Sequence, residues 1–350
     1  MSDSGISRPR YQGLAAARRW QQAPARPRED FSLAVGDRLG ELTVIGHLAR
    51  GRVTELYQVW STEHWCALTG KVVSPEHADD EVPASFRREA RVLKKLKHPN
   101  VVRLYGSGVA GGRAYLLLEF FSGPSLYEVL ESLFHRRLHI PDAIRALMHI
   151  GAAVHYLHRQ GYLYRDLKPG NVLLREGIPI LVDFDVVRKI DRRRPADRLG
   201  TAPYMAPEQV RREPLTPAAD VYGLGCLLYE MVTGHWPTDD PSEEDEWNEW
   251  SDDEEGRART ESGGDAPLSE VELLWRYPQL SYPPTPPREH LSHIDPELER
   301  ILLRCLHPDP AHRFQTVSGL LAALAPLLKG RYRLWPQGAP IERRSDTESR

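Results

Sequence analysis

The chain has little to staple it, anchor it or bias its charge. Three cysteines, Cys66, Cys226 and Cys305, stand far apart in 350 residues, which excludes a disulfide framework and a thiolate metal site and suggests a reducing compartment. No apolar stretch follows the arginines near the N-terminus, so that segment does not read as a secretory signal. The longest apolar run, Leu320 to Leu328, contains Pro326 and is too short to span a bilayer. Neither sign of charge dominates: the formal net charge is -3, and no global basic field points to nucleic acid. These absences predict a soluble, cytoplasmic protein with no membrane segment and no nucleic-acid partner.

What is present is a chain 41% hydrophobic, long enough to divide a large core between two lobes. Its centre is Tyr164-Arg165-Asp166-Leu167-Lys168-Pro169-Gly170-Asn171, a loop offering a carboxylate, an ammonium two residues on and a carboxamide three after that. A hydrophobic strand, Val172-Leu173-Leu174, leaves the loop, and a second, Ile178 to Val182, delivers Asp183. Hairpin spacing brings two carboxylates and one amide to the same end of a small sheet. That set suits Mg²⁺ beside a phosphate with a base close by, because Mg²⁺ prefers carboxylate or amide oxygens combined with substrate phosphates.

Together with Gly200-Thr201-Ala202-Pro203-Tyr204-Met205-Ala206-Pro207-Glu208, these residues resemble the catalytic loop, metal motif and substrate-cleft motif of eukaryotic-type (Hanks-type) serine/threonine protein kinases. The resemblance covers roughly residues 38–328. It implies an α+β, bilobal fold: a small antiparallel five-stranded N-lobe with one main helix, and a mostly helical C-lobe. The expected boundaries are a flexible basic tail over 1–36, a kinase domain over 37–328 divided at 121/122, and a polar tail over 329–350. An acidic insert carrying Trp247 and Trp250 spans about 237–267, a solvated block or the docking segment of a partner.

Strand patterns fall at Leu42 to Ile45, Glu55 to Trp60, Cys66 to Val73, Val101 to Gly106 and Ala114 to Glu119. A helix over Phe86 to Leu96 has Ser85 as its expected N-cap. The segment Ala49-Arg50-Gly51-Arg52-Val53-Thr54-Glu55-Leu56 is similar to the family's Gly-rich loop with only the middle glycine kept, which predicts a stiffer or more distant phosphate cradle. Counting from Leu56 places the family's phosphate-binding lysine at Lys71, with Glu89 as its partner.

By resemblance, Asp166 orients the acceptor hydroxyl or takes its proton, Lys168 neutralises the moving phosphoryl group, and Asn171 with Asp183 hold Mg²⁺. Leu48, Gly51, Leu56, Thr69, Lys71, Leu118, Glu119, Phe121 and Leu173 would line the ATP site. Leu93, Leu104, Tyr164 and Phe184 would form an apolar stack linking the lobes, Asp220 would brace the catalytic loop, and Glu208 would pair with Arg313. The protein partner would present a Ser or Thr hydroxyl.

Three features depart from the family pattern: Ala49 and Thr54 weaken the phosphate cradle, Gly70 loosens the strand that carries Lys71, and the third is at the metal motif. Asp185 replaces the glycine of Asp-Phe-Gly, at an expected cost of about 1–2 kcal/mol if the position needs φ > 0. The segment Asp185 to Leu199 holds no Ser, Thr or Tyr but six Arg or Lys; either Asp191 or Asp197 supplies a permanent counter-charge for Arg165, or the segment is simply a solvated basic loop. Two functions stay open at this point: an active kinase, or a pseudokinase that binds nucleotide or acts as a scaffold.

Overall fold

Two-residue alternation builds the N-terminal lobe. In the computed structural model, which describes residues 31–51, 53–78, 82–191, 193–195, 198–238, 273–274 and 276–328, this lobe is an antiparallel sheet with one helix. Its strands are β1 (Arg38–Leu39), β2 (Leu42–Arg50), β3 (Thr54–Ser61), β4 (Cys66–Val73), β5 (Leu104–Ala110) and β6 (Arg113–Glu119), in spatial order β1-β2-β3-β4-β6-β5. The expected five strands are present, and the short β1 adds a sixth at the edge.

Strand β3 buries alternate residues, Glu55, Tyr57, Val59 and Ser61, on the outer face, where Tyr57 and Val59 join Leu39, Leu42, Val44, Leu68, Val72 and Leu117 in a small core. The opposite face packs Val73, Leu116 and Leu118 against helix α1 (Val82–Leu93) through Phe86, Ala90 and Leu93. Gly70 fits this packing: a Cβ there would press within 3.2 Å of Val59 Cγ1, and β4 stays paired through it on both sides.

Three local expectations are corrected. Helix α1 begins at Val82, so Ser85 lies inside it and is not its cap. Strand β5 starts at Leu104; Val101 instead makes an isolated parallel bridge to Leu181, because the preceding segment ties the two lobes together. Residues 31–36 do not form a free tail: Phe31 and Leu33 pack on the outer core. The rest of both tails, and the acidic block from Asp239 onward, lie outside the described residues.

The C-terminal lobe comprises α2 (Leu126–Glu131), α3 (Ile140–Arg159), a pair of short strands β7 (Tyr162–Leu163) and β10 (Arg188–Lys189), the hairpin β8 (Val172–Arg175) and β9 (Ile178–Leu181), then α4 (Pro207–Val210), α5 (Pro217–Thr233), α6 (Pro287–His290), α7 (Pro296–Cys305) and α8 (Val317–Leu324). Ser125 and Glu128 close a reciprocal capping box on α2, satisfying backbone N–H groups that the first turn leaves without partners. Helix α5 is buried on nearly every side, as expected for a helix apolar all round. Its C-cap, Gly234, has φ of 84°, the left-handed geometry that glycine adopts without Cβ strain.

Backbone bonds join the lobes near the hairpin. Val102 N–H donates to Leu181 O (3.0 Å), and Leu181 N–H to Asn100 O (2.9 Å). The side chain of Asn100 donates to Pro179 O at 2.8 Å. Arg175 pairs with Glu119 at 2.9 Å where the chain passes from sheet to helices.

Candidate active site

The register of three strands sets the sheet side of the site. Leu56 on β3 lies opposite Lys71 on β4, and Lys71 opposite Leu116 on β6. Thr69 lies opposite Leu118, one strand position back on the same face. Lys71 Nζ donates to both oxygens of Glu89, at 2.9 and 3.2 Å, and to Asp183 Oδ1 at 2.8 Å. Burial works against its charge, but the carboxylates of Asp183, Glu89 and Asp185 outweigh it and hold Lys71 well above the ordinary lysine range. Glu89 Oε1 also accepts from Phe184 N–H at 3.1 Å. One carboxylate on α1 therefore fixes both the lysine and the segment carrying Asp183.

The catalytic loop is held from beneath. Asp220, on the first turn of α5, accepts Arg165 N–H at 2.8 Å and Tyr164 N–H at 2.9 Å, with His158 Nε2 at 2.7 Å. This is the bracing role expected for Asp220. Arg165 has φ of 76° and Asp183 φ of 59°, so each non-glycine residue sits in the left-handed region at a cost of about 1–2 kcal/mol. Strain of this kind persists where surrounding bonds over-determine the backbone, and the bonds to Asp220 supply that constraint at Arg165.

Asp166, 1% exposed, accepts from Thr201 Oγ1 at 2.7 Å on one oxygen and from Asn171 Nδ2 at 2.7 Å on the other. Asn171 Nδ2 also donates to the Asp166 carbonyl at 2.9 Å. Both amide hydrogens of Asn171 thus point at Asp166, and its carbonyl oxygen, the end able to bind a cation, faces away. Lys168 is buried two residues along the same loop.

Among the described residues no group of three or more His, Cys, Asp or Glu side chains could hold a metal by itself. One amide and one carboxylate completed by phosphate oxygens is a donor set that suits Mg²⁺, so Asn171 and Asp183 fit the ion.

The other expected residues lie on the sheet, on the segment that follows it and on β8. Leu48 and Gly51 lie on the β2–β3 hairpin, Leu118 and Glu119 end β6, and Leu173 lies on β8. Glu119 N–H donates to Arg103 O at 2.9 Å, so that donor is committed within the protein. Phe121 follows, with the Arg175 guanidinium 5.9 Å from its ring centroid. Tyr164 and Phe184 meet edge to face at 5.4 Å, and both share one core with Leu93 and Leu104. Glu208 and Arg313 form the expected buried pair, at 2.8 and 2.9 Å.

Two readings change. Asp185 does not adopt a positive φ, so replacing glycine there carries no left-handed strain. Asp191 pairs with Arg188 at 2.8 Å and is not the counter-charge of Arg165; the Arg165 guanidinium donates instead to Val186 O at 3.2 Å. Asp197, the other candidate, lies outside the described residues.

Sequence reasoning missed Thr201 as a partner of Asp166 and Gln209 as a clamp. Gln209 Nε2 bridges Arg165 O (3.0 Å) and Leu199 O (2.6 Å). Gly200, with φ of 137°, makes room for it: a Cβ there would lie 2.7 Å from Gln209 Nε2 and 3.0 Å from Arg165 O. The glycine before Thr201 was the available signal, since only a residue without Cβ permits that approach.

The family described as protein kinase domain matches residues 42–323, and the chain belongs to it. Curated relatives include a probable serine/threonine-protein kinase of Streptomyces coelicolor, 28% identical over 84% of this chain and 43% of the relative. Serine/threonine-protein kinase PknB of Mycolicibacterium smegmatis is 29% identical over 70% of this chain and 36% of its own length. The chain thus spans less than half the length of the curated relatives it matches. Among solved structures, the Mycobacterium tuberculosis PknI kinase domain aligns with a TM-score of 0.60 at 22% identity, covering 84% of this chain and 98% of that one; the likeness shows the bilobal kinase fold. No described helix is long and apolar enough to cross a membrane.

Proposed function

We propose that this chain is an ATP-dependent serine/threonine protein kinase, transferring the γ-phosphoryl group of ATP to a protein hydroxyl. The observation that carries the reading is the connected set Lys71–Glu89–Asp183, joined at 2.8–2.9 Å, together with a buried Asp166 held by Thr201 and Asn171. Asp166, held in orientation by Thr201 and Asn171, directs the acceptor hydroxyl and receives its proton as the phosphoryl group leaves. Lys168 offsets negative charge on the group in transit, and Lys71 holds the α- and β-phosphates as a point charge. Asn171 and Asp183 would hold Mg²⁺, which when bound neutralises phosphate charge. Leu48, Leu56, Thr69, Leu118, Glu119, Phe121 and Leu173 form the adenine seat, with Gly51 over the phosphates. Catalysis rests on positioning and preorganised charge rather than a covalent intermediate. The protein partner presents Ser or Thr, and we place the reaction in the cytoplasm.

The pseudokinase reading is the weaker one. Every group that performs chemistry is retained, and Asp185 is accommodated without backbone strain. The test is Mg·ATP turnover on a generic basic protein, with Asp166→Asn in parallel. The wild type should transfer phosphate and the variant should lose about 10²–10⁴-fold, the usual contribution of a positioned acid–base group. A wild type that transfers nothing, yet is thermally stabilised by Mg·ATP, would replace the enzyme with a nucleotide-binding module.

A further inference from the structure

Away from the groups that perform the chemistry lies a heavily partnered buried carboxylate, Glu55, which no chemical step uses. It is 0% exposed, on the outer face of the sheet near the tip of the β2–β3 hairpin. Its oxygens accept from Ser32 N–H at 3.1 Å, from Tyr57 Oη at 2.6 Å and from the Ser32 hydroxyl. Arg113 lies 3.3 Å away and Arg50 3.4 Å away. Burial works against ionisation of this carboxyl, but the hydrogen bonds from Ser32 and Tyr57 and the charge of Arg113 outweigh it and hold Glu55 below the usual carboxylate range.

The partners come from two places in the chain that the family match does not join. Ser32 precedes residue 42, where that match begins. Its neighbours clamp the same spot: the Phe31 ring stacks on His47 of β2 at 4.3 Å, Leu33 N–H donates to Tyr57 Oη at 3.2 Å, and His47 Nε2 lies 2.8 Å from Leu33 O.

On the other side, Glu55 is opposite Arg50 in the strand register, one pair from the hairpin tip. Because side chains alternate along a strand, Glu55 faces outward while the next residue, Leu56, shares the cleft face with Lys71. Gly51 N–H donates to Thr54 O at 2.8 Å and Ser74 N–H to Val53 O at 2.9 Å, which closes the tip onto β4. Arg50 also reaches Glu76, at 3.3 Å. A hairpin left with one glycine of the usual three is thus held in place from the outside by charge.

We propose that residues 31–33 form a strap that acts through Glu55 to fix the β2–β3 hairpin over the nucleotide, making Glu55 and Ser32 positioning residues for ATP. The strap lies outside the matched kinase segment yet belongs functionally to its nucleotide site. This inference rests on the kinase reading above.

The test compares full-length Glu55→Gln, Ser32→Ala and Phe31→Ala with Val44→Ala, a control that opens a cavity in the same outer core away from the tip. Two quantities are read: KM for ATP with KM for the protein substrate, and hydrogen exchange of the Gly51 and Ser74 amides without nucleotide. The strap variants should raise KM for ATP about tenfold, leave KM for the protein substrate unchanged and speed exchange at both amides; Val44→Ala should do neither. Strap variants no different from Val44→Ala at matched melting temperature would overturn the proposal and make the network purely structural. If Glu55→Gln fails to fold, Ser32→Ala and Phe31→Ala carry the test, since neither leaves an unpaired buried charge. A wild type without turnover would defeat the kinase reading alone, because exchange at Gly51 and Ser74 reports on the strap without catalysis.

Discussion

Asp220→Asn asks whether a buried brace, rather than the catalytic residues themselves, sets the geometry of the loop. In the wild type the two carboxylate oxygens receive Arg165 N–H and Tyr164 N–H at 2.8 and 2.9 Å. Hydrogen bonds to a charged acceptor contribute about 1.5–3 kcal/mol each, so the two together supply about 3–6 kcal/mol. They hold Arg165 at φ of 76°, which costs about 1–2 kcal/mol. Asparagine keeps one acceptor and turns an NH₂ toward the other backbone N–H. At most one weaker bond remains, and a buried N–H without an acceptor adds a penalty of about 1–3 kcal/mol. The margin that favours the strained loop is gone, and Arg165 relaxes.

Asp166 is the next residue, and displacing a catalytic group by about 1 Å costs on the order of 10²-fold. The expected result is therefore a kcat lower by about 10²-fold with KM for ATP within about threefold, because Lys71, Glu89 and Asp183 do not touch Asp220. Steady-state kinetics with both substrates varied, beside a melting curve, reads this directly. A variant that melts lower but keeps its kcat would refute the reasoning: Asp220 would then support the fold without setting the catalytic loop.

Two further outcomes follow from the same geometry. Arg313→Ala leaves the buried Glu208 carboxylate without its bidentate partner, and urea denaturation should show a loss of about 3–5 kcal/mol; a loss below about 1 kcal/mol would show that water reaches Glu208. Because the segment Asp185–Leu199 lacks any hydroxyl acceptor and Arg165 donates to a backbone carbonyl, phosphatase treatment of the purified protein should leave turnover unchanged. A large drop would reveal a controlling phosphate elsewhere, Thr201 being the first position to inspect by mass spectrometry.

Most of the catalytic loop and its spacing was legible because chemistry dictates residue type there. An ionised carboxylate, an amide and a lysine at fixed separations have few other reasons to occur together beside two hydrophobic strands. Lys71 and Glu89 are 18 residues apart, yet motif counting paired them correctly, as it did Glu208 and Arg313. The strands of the sheet were equally readable, since alternation of buried and exposed side chains is a local property. Ser85 misled because a good capping residue tolerates a helix interior when tertiary packing supports an earlier start. Val101 misled because an apolar run next to Asn100 serves an inter-lobe bridge as well as it serves a strand.

The sequence by itself determined the family, the candidate reacting groups and the alternation that puts Lys71 on the face of the sheet shared with Leu56. Tertiary structure alone decided what surrounds them. Whether Asp185 would be strained depended on its φ, which the folded chain keeps out of the left-handed region. Which group meets Arg165 depended on where the basic segment folds back, and the carbonyl of Val186 reaches it where Asp191 does not. The burial of Glu55 under Ser32 could not be read from either neighbourhood, because a hydrogen bond between residues 23 positions apart leaves no periodic trace. A composition-based reading sees a basic tail and a strand residue there; only the folded chain brings them together and buries the carboxylate.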